Sequence, residues 1–289
     1  MDAIEPLYVR LEKPVPQVLR IVLDRPDKRN AQDPRLLYQL NAAFDTAAQN
    51  DDIKVVILCG DGKTFSAGHD LAADWAVTDE AQRRASWGEY PAVTCWGGFT
   101  QPGAEGWMAM EEELFLGLCW RWRNFPKPTI AAVHGKVIAG GLMLAWVCDL
   151  IIASDDATFS DPVVAFGVNG HEYFVHAWEL GARKAKELLF TGGAIGAEDA
   201  RALGMVNQVV SADALQESAL AMAVRIAKMP SLGLKLAKQS VNQSLDAQGQ
   251  WTAIQAALSL HEIGHSHCRE VHGTPLDPTG AERIRHLSG

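Results

Sequence analysis

The chain has 289 residues, 48% of them hydrophobic and 21% charged, with a formal net charge of −9. That is ample apolar material for one large domain or a domain with an appended piece, and the acidic balance without a strong basic cluster excludes a general nucleic-acid binder. No apolar run is long enough to cross a bilayer, the opening MDAIEPLYVRLEKPVP lacks the apolar core of a signal peptide, and Cys59, Cys95, Cys119, Cys148 and Cys268 show no paired spacing, as expected of thiols in a reducing cytoplasm.

Val18–Leu23 reads as a strand, followed by a charged turn, DRPDKRNAQDP. Leu36–Ala48 carries apolar residues at helical spacing. Val55–Cys59 is a continuous buried strand leading into GDGKTFSAGHDLAAD, in which Gly68 marks a turn and Asp70 could cap a following helix. From Trp75 to Phe125 the chain holds six of its nine tryptophans and the patch WGGFTQPGAEGW, which reads equally as a pocket wall or lid and as an oligomer contact. Met108–Arg123 has helical periodicity.

The stretch KPTIAAVHGKVIAGGLMLAWVCDLIIAS organises the chain: strand Thr129–Val133, a glycine loop, helix Gly141–Cys148 and strand Asp149–Ala153. Gly140 and Gly141 sit where loop meets helix, and the first amides of a helix lack intrahelical acceptors. Such N–H groups suit a developing negative charge on oxygen; tight strand–turn–helix packing with no ligand accounts for the same residues. Beyond it come a strand edge, a loop and a helix in ATFSDPVVAFGVNGHEYFVHAWELG, helices Arg183–Phe190 and Ala197–Leu203, and a strand over Gly204–Val210. Ala212–Leu245 is helical with a break at Pro230, and the tail from Trp251 starts helical and ends in polar coil.

Four segments in order, LDRPDKRNA, FSAGHDL, the central block and ELGARKAKELLFTGGAIGAEDARALGMVNQVV, make residues 15–245 resemble the crotonase (enoyl-CoA hydratase/isomerase) superfamily. The resemblance implies an α/β fold, a crotonase-type spiral of ββα units with a C-terminal helical region. Residues 1–210 would form the core spiral, with an aromatic-rich insertion at about 75–125, and 211–289 the helical region and tail. It implies an acyl-CoA substrate, coenzyme A entering as part of it and no separate cofactor, and a cytoplasmic homotrimer or homohexamer without nucleic-acid or membrane partners. The backbone amides of His69 and Gly140 would polarise the thioester carbonyl. Phe65, Ser66, Ala67, Gly68, Asp70 and Leu71 would lie along the coenzyme, with Lys28, Arg29 and Lys63 as phosphate partners and Gly141 beside the oxyanion amide.

The chain departs from the family at its chemistry. Met143 and Val163 occupy the positions of the two hydratase glutamates, and neither can carry a proton. Both remain expected substrate contacts. Candidate replacements are Glu172 with the adjacent His171, Asp161, and the side chain of His69; His134 reads as structural. These residues point to isomerisation, hydrolysis or atypical hydration by an enzyme, or to a catalytically silent acyl-CoA binder. Separately, His261-Glu262-Ile263-Gly264-His265 matches the H-E-x-x-H pattern of zinc hydrolases. Gly264 weakens that helix and no third spaced histidine follows, so no metal is expected. The better expectation is that this helix folds over an active site and lends it an imidazole.

Overall fold

Uninterrupted aliphatic runs such as VVILCG and LIIAS build the centre of the computed structural model, which describes residues 7–71, 92–94, 96–99 and 101–287. Strands buried on both faces read as continuous apolar segments, the signature of a parallel sheet. Six strands form the large sheet: β1 (Val9–Val15), β2 (Val18–Leu23), β3 (Val55–Gly60), β5 (Thr129–Val133), β7 (Leu150–Ser154) and β10 (Gln208–Val210), adjacent in that order. Only the β1–β2 pair is antiparallel. A second sheet has the order β4 (Thr64–Ser66), β6 (Lys136–Ile138), β8 (Thr158–Ser160) and β9 (Ala194–Gly196).

Each of β3, β5 and β7 is followed directly by a short strand of the second sheet. The chain thus climbs in ββ turns, with helices returning it to the large sheet, which is the expected spiral. Helix α1 (Pro34–Gln49) starts at Asp33, whose carboxylate accepts from the Leu36 amide, and buries Leu36, Leu37, Leu40 and Phe44. After α1 come α2 (Gly103–Glu111), a π-helical segment (Glu112–Gly117), α3 (Leu118–Arg123) and α4 (Gly140–Trp146). The remaining helices are α5 (His176–Thr191), α6 (Ala197–Ala202), α7 (Leu215–Ala227), α8 (Ser231–Ala247), α9 (Gln250–His272) and α10 (Gly280–Leu287). Leu215, Ala219, Ala223 and Ala227 bring α7 onto the opposite face of the large sheet against Val55, Ile57 and Ile130. No helix among the described residues is long and apolar enough to cross a membrane.

Several boundaries differ from expectation. The central helix is shorter than Gly141–Cys148, and Met108–Arg123 is interrupted by the π segment. Arg183–Phe190 belongs to the longer α5, whose only non-helical residue is Gly181 (φ 72°, ψ 154°). Val9–Val15 forms an edge strand whose charged residues hide its alternation. The tail is helical through His272 and again over α10, not polar coil. Its buried face runs Ile254, Leu258, His261, His265 and Cys268, so imidazoles and a thiol continue the stripe where aliphatic residues would have signalled it. Trp75 and Trp87, and any helix capped by Asp70, lie outside the described residues.

Candidate active site

Two glycine turns meet at the ends of β4 and β6. Gly68 has φ +85°, and a Cβ there would lie 2.7 Å from the Ile138 carbonyl and 3.1 Å from the Gly140 nitrogen. A Cβ on Gly140 would fall 2.7 Å from the His69 ring. Only glycine allows this approach, and it places His69 beside the first turn of α4. Ala139 enters that turn with φ +46° and ψ −108°, a conformation unfavourable for a residue with a Cβ. Gly140 follows as the first helical residue, where an amide has no intrahelical acceptor.

These turns form one wall of a cavity of about 290 Å³, lined there by Ala67, His69, Leu71, Ile138 and Ala139. Trp107, Glu111 and Phe115 supply a second wall. They recur at four-residue intervals through the junction of α2 with the π segment, an irregularity often found at functional sites. Val163, Phe166 and Val168 form the third wall, and Leu276, Ala281 and Ile284 from the tail close it. His171, Glu172, His261 and His265 bring the titratable groups.

Glu172 is 4% exposed, and its Oε2 is buried without a hydrogen-bond partner. Its Oε1 lies 3.7 Å from His69 Nδ1 and 3.8 Å from His261 Nε2. Burial, reinforced by the negative charge of Glu111, pushes its pKa well above the usual carboxylate range. His69 stacks on Phe115 with ring centroids 3.8 Å apart, and burial lowers its pKa to about 4. A neutral imidazole therefore flanks a carboxyl group that ionises reluctantly, the pairing needed of a proton-transfer group working near neutrality.

Glu111 behaves differently. Burial would raise its pKa, but the imidazoles of His265 and His261 outweigh this and hold it below the usual carboxylate range. His265 Nε2 is 2.8 Å from Glu111 Oε1, and Trp107 Nε1 donates to the same oxygen at 2.6 Å. Glu262, next along α9, is pushed up to about 10 by burial and by Glu111.

Asp161 is fully buried behind the cavity rather than on it. Its Oδ2 accepts from the His171 amide at 2.9 Å and meets His176 Nε2 at 2.7 Å. It holds the Gly170–Glu172 loop in place and is not positioned to meet a substrate, which corrects the catalytic expectation for it. His171 does reach the cavity, and burial keeps its pKa well below the imidazole norm.

The remaining expected contacts divide between the core, the surface and the cavity. Phe65 and Met143 pack in the core, and neither lines the cavity. Ser66 is fully buried, donating to the Asn30 carbonyl and accepting from the Gly68 amide. Gly141 is a packing glycine, since a Cβ there would lie 2.4 Å from the Ser66 carbonyl. Asp70 pairs with Arg25 at 2.8 Å. Lys28, Arg29 and Lys63 stand exposed on nearby loops, outside the cavity. Ala67, Leu71 and Val163 do line it, and Gly68 shapes it. His134 Nε2 meets the Gly62 carbonyl at 2.9 Å, and the residue does not line the cavity.

Glu111 is the cavity residue that the sequence reading misses, whereas Trp107 ends the WGGFTQPGAEGW patch read there as a pocket wall or an oligomer contact. The available signal was the acidic triplet Glu111–Glu113 within an otherwise apolar helical stretch. Glu113 is the structural member, accepting from Tyr38 and from the amides of Val93 and Thr94. Gly264, a weakness in an isolated helix, permits the docking of α9: a Cβ there would lie 2.6 Å from the Gly167 carbonyl. Gly264→Ala is expected to destabilise the protein by about 1–3 kcal/mol through this overpacking, despite alanine's better helix propensity. Urea denaturation of the two proteins measures the difference.

The family model described as Enoyl-CoA hydratase/isomerase matches residues 15–96 and 97–273. "Putative enoyl-CoA hydratase EchA13" of Mycobacterium tuberculosis is 46% identical over 261 residues, covering 90% of this chain and 81% of that protein. A crystal structure of a "probable" enoyl-CoA hydratase from Mycobacterium smegmatis superposes with a TM-score of 0.82 at 44% identity, covering 93% of this chain and 99% of the other. An enoyl-CoA hydratase/isomerase from Xanthobacter autotrophicus Py2 gives a TM-score of 0.77 at 30% identity, with 97% of each chain covered. With the ββα spiral, the paired glycine turns and these matches in agreement, the chain belongs to the enoyl-CoA hydratase/isomerase family.

Proposed function

We propose that the protein is an acyl-CoA isomerase in which one carboxylate, Glu172, does the work that two glutamates share in a hydratase. The observation that carries this reading is the placement of Glu172: buried on the cavity wall, with Oε2 unpartnered and neutral imidazoles nearby. In a 3-enoyl thioester, Glu172 takes a proton from the α-carbon; the C–H electron pair forms a double bond to the carbonyl carbon and the carbonyl π pair moves onto oxygen, giving a dienolate that keeps the β,γ double bond until the γ-carbon is protonated. The amides of His69 and Gly140 hold that charge. Glu172 then returns the proton to the γ-carbon, giving the 2-enoyl thioester with no water consumed. Hydration instead needs an acid and a base on either side of a water, and Met143 and Val163 remove both.

The largely apolar walls suit a hydrophobic acyl group, and Ala67 and Leu71 lie where the pantetheine arm would enter. Exposed Leu232, Leu236 and Val241 on α8 support assembly into a trimer or hexamer. The test compares hydration of crotonyl-CoA with isomerisation of a 3-enoyl-CoA panel. The expected result is measurable isomerisation, and hydration slower than in an efficient hydratase by at least the roughly 10²–10⁴-fold that each of the two missing general acid–base groups typically contributes. Hydration at an ordinary hydratase rate would refute the assignment, and binding without any turnover would leave a silent acyl-CoA binder.

A further inference from the structure

Two imidazoles and a carboxylate converge on one point of the cavity wall, and their tautomers are set from behind. His265 Nδ1 lies 2.7 Å from the Pro275 carbonyl, which can only accept, so Nδ1 carries a proton and Nε2 faces Glu111. His261 Nδ1 lies 3.1 Å from Asn169 Oδ1. Asn169 Nδ2 donates to the Ala257 carbonyl at 3.0 Å, which fixes the amide so that its oxygen accepts from His261. Both Nε2 atoms therefore point at Glu111. His261 Nε2 is 3.6 Å from Oε2 and His265 Nε2 is 2.8 Å from Oε1, and the three ligand atoms lie within 4.8 Å of one another.

We propose that His261, His265 and Glu111 form a site for a divalent cation of the zinc type, open toward the acyl cavity. Tetrahedral coordination with bonds of roughly 2.0–2.1 Å places ligand atoms about 3.3 Å apart, and each imidazole lies near that distance from one carboxylate oxygen, His265 from Oε1 and His261 from Oε2, so a small turn of the Glu111 carboxylate would present one oxygen to both. The outer shell matches that of metal-binding histidines, whose second nitrogen donates to a carbonyl and so fixes ring orientation. Trp107 packs edge-on against His265 with centroids 5.2 Å apart, which further restrains the ring. Glu111 Oε2 is buried without a hydrogen-bond partner, so a cation would meet a carboxylate oxygen left unsatisfied by the protein.

Glu111, His261 and His265 all line the cavity, which supplies an entry path and would let water or an acyl oxygen complete the coordination. The second histidine–carboxylate cluster, Asp161 with His171 and His176, is a weaker candidate. The cavity reaches only its His171, so Asp161 and His176 have no open path to an entering ion. The proposal does not depend on which acyl-CoA reaction the protein catalyses.

The test uses the full chain, stripped with a chelator and titrated with Zn²⁺ by calorimetry, with metal content measured after dialysis. The expected result is one ion per chain. Asn169→Ala should weaken binding by about 10–100-fold, the usual cost of losing an outer-shell partner, and His265→Ala should weaken it by at least as much. His267→Ala, on the same helix but outside the cluster, should leave it unchanged. Co²⁺ in the unaltered protein should give the absorption of a four-coordinate nitrogen–oxygen site, a readout independent of variant folding. A six-coordinate Co²⁺ spectrum, substoichiometric uptake, or Zn²⁺ affinity indifferent to His265→Ala would overturn the proposal.

Discussion

Glu172→Gln is expected to lower kcat on the isomerised substrate by about 10²–10⁴-fold while leaving KM nearly unchanged. Glutamine fills the same volume, keeps an oxygen toward His69 and His261, and cannot take the proton. Loss confined to kcat is the signature of an interaction made in the transition state rather than in binding. The environment of Glu172 sharpens the expectation. Burial raises its pKa, and the charge of Glu111 raises it further. A group of this kind is a stronger base once ionised than a carboxylate in water. Steady-state kinetics on both proteins decide the matter. Normal turnover by Glu172→Gln alongside an inactive His171→Ala would move the chemistry to the imidazole.

The second large effect concerns stability. Asp161→Ala is expected to cost about 3–5 kcal/mol, the range for breaking a buried pair by removing one partner. The His171 amide and the His176 ring would lose their acceptor in a region closed to water. Burial opposes the charge on Asp161, but the hydrogen bond from His176, with the nearby imidazole of His171, lowers its pKa below the ordinary carboxylate value. A carboxylate depressed on folding contributes stability that is fully present above its unfolded pKa, near 3.9, and is lost as pH falls toward its folded value. The gap between wild type and Asp161→Ala should therefore be constant from neutrality down to about pH 4 and shrink below it. Chemical denaturation at pH 7 and pH 3 measures both parts; a gap unchanged at pH 3 would show that Asp161 acts through shape rather than charge.

The parallel strands are legible in the sequence because strands buried on two faces leave no polar alternation to confuse their reading. The glycine turns are legible because close backbone approach excludes every other residue, as the Gly68 and Gly140 distances show. That Met143 and Val163 carry no carboxylate is read directly from the sequence, as is Glu172 as the first acid on the loop that follows. Glu111 is not legible: nothing local separates it from Glu112 or Glu113, and its role depends on a helix far away in sequence. The tail was underestimated for a related reason. Buried histidines do not count as apolar in a periodicity reading, yet here they form the packed face of α9. Burial of Phe65, Ser66 and Met143 also lies beyond sequence, since a motif position does not say which way a side chain points.

The way the tail is fastened bears on the order in which the enzyme assembles. Segment 163–168 is held from the C-terminal side, with the Asp277 amide donating to the Phe166 carbonyl at 2.9 Å and Arg283 Nη1 to the Ala165 carbonyl at 2.9 Å. Gly280 fits against the Phe166 ring so closely that a Cβ would overlap it. His261 and its partner Asn169 are 92 residues apart in sequence, and Cys268 Sγ reaches the Phe166 carbonyl across 102, so the contacts that complete the pocket are long-range and carry a loop-closure cost. The tail also shares the main core, where Ile254 and Leu258 pack with the aliphatic residues of the spiral, so a chain with the tail undocked has both an unfinished core and an open, greasy cleft. Maturation to the working enzyme is then a docking event, and an acyl-CoA seated between the spiral and the tail would draw that docking toward completion by mass action. Substrate, in such a protein, is also a folding partner.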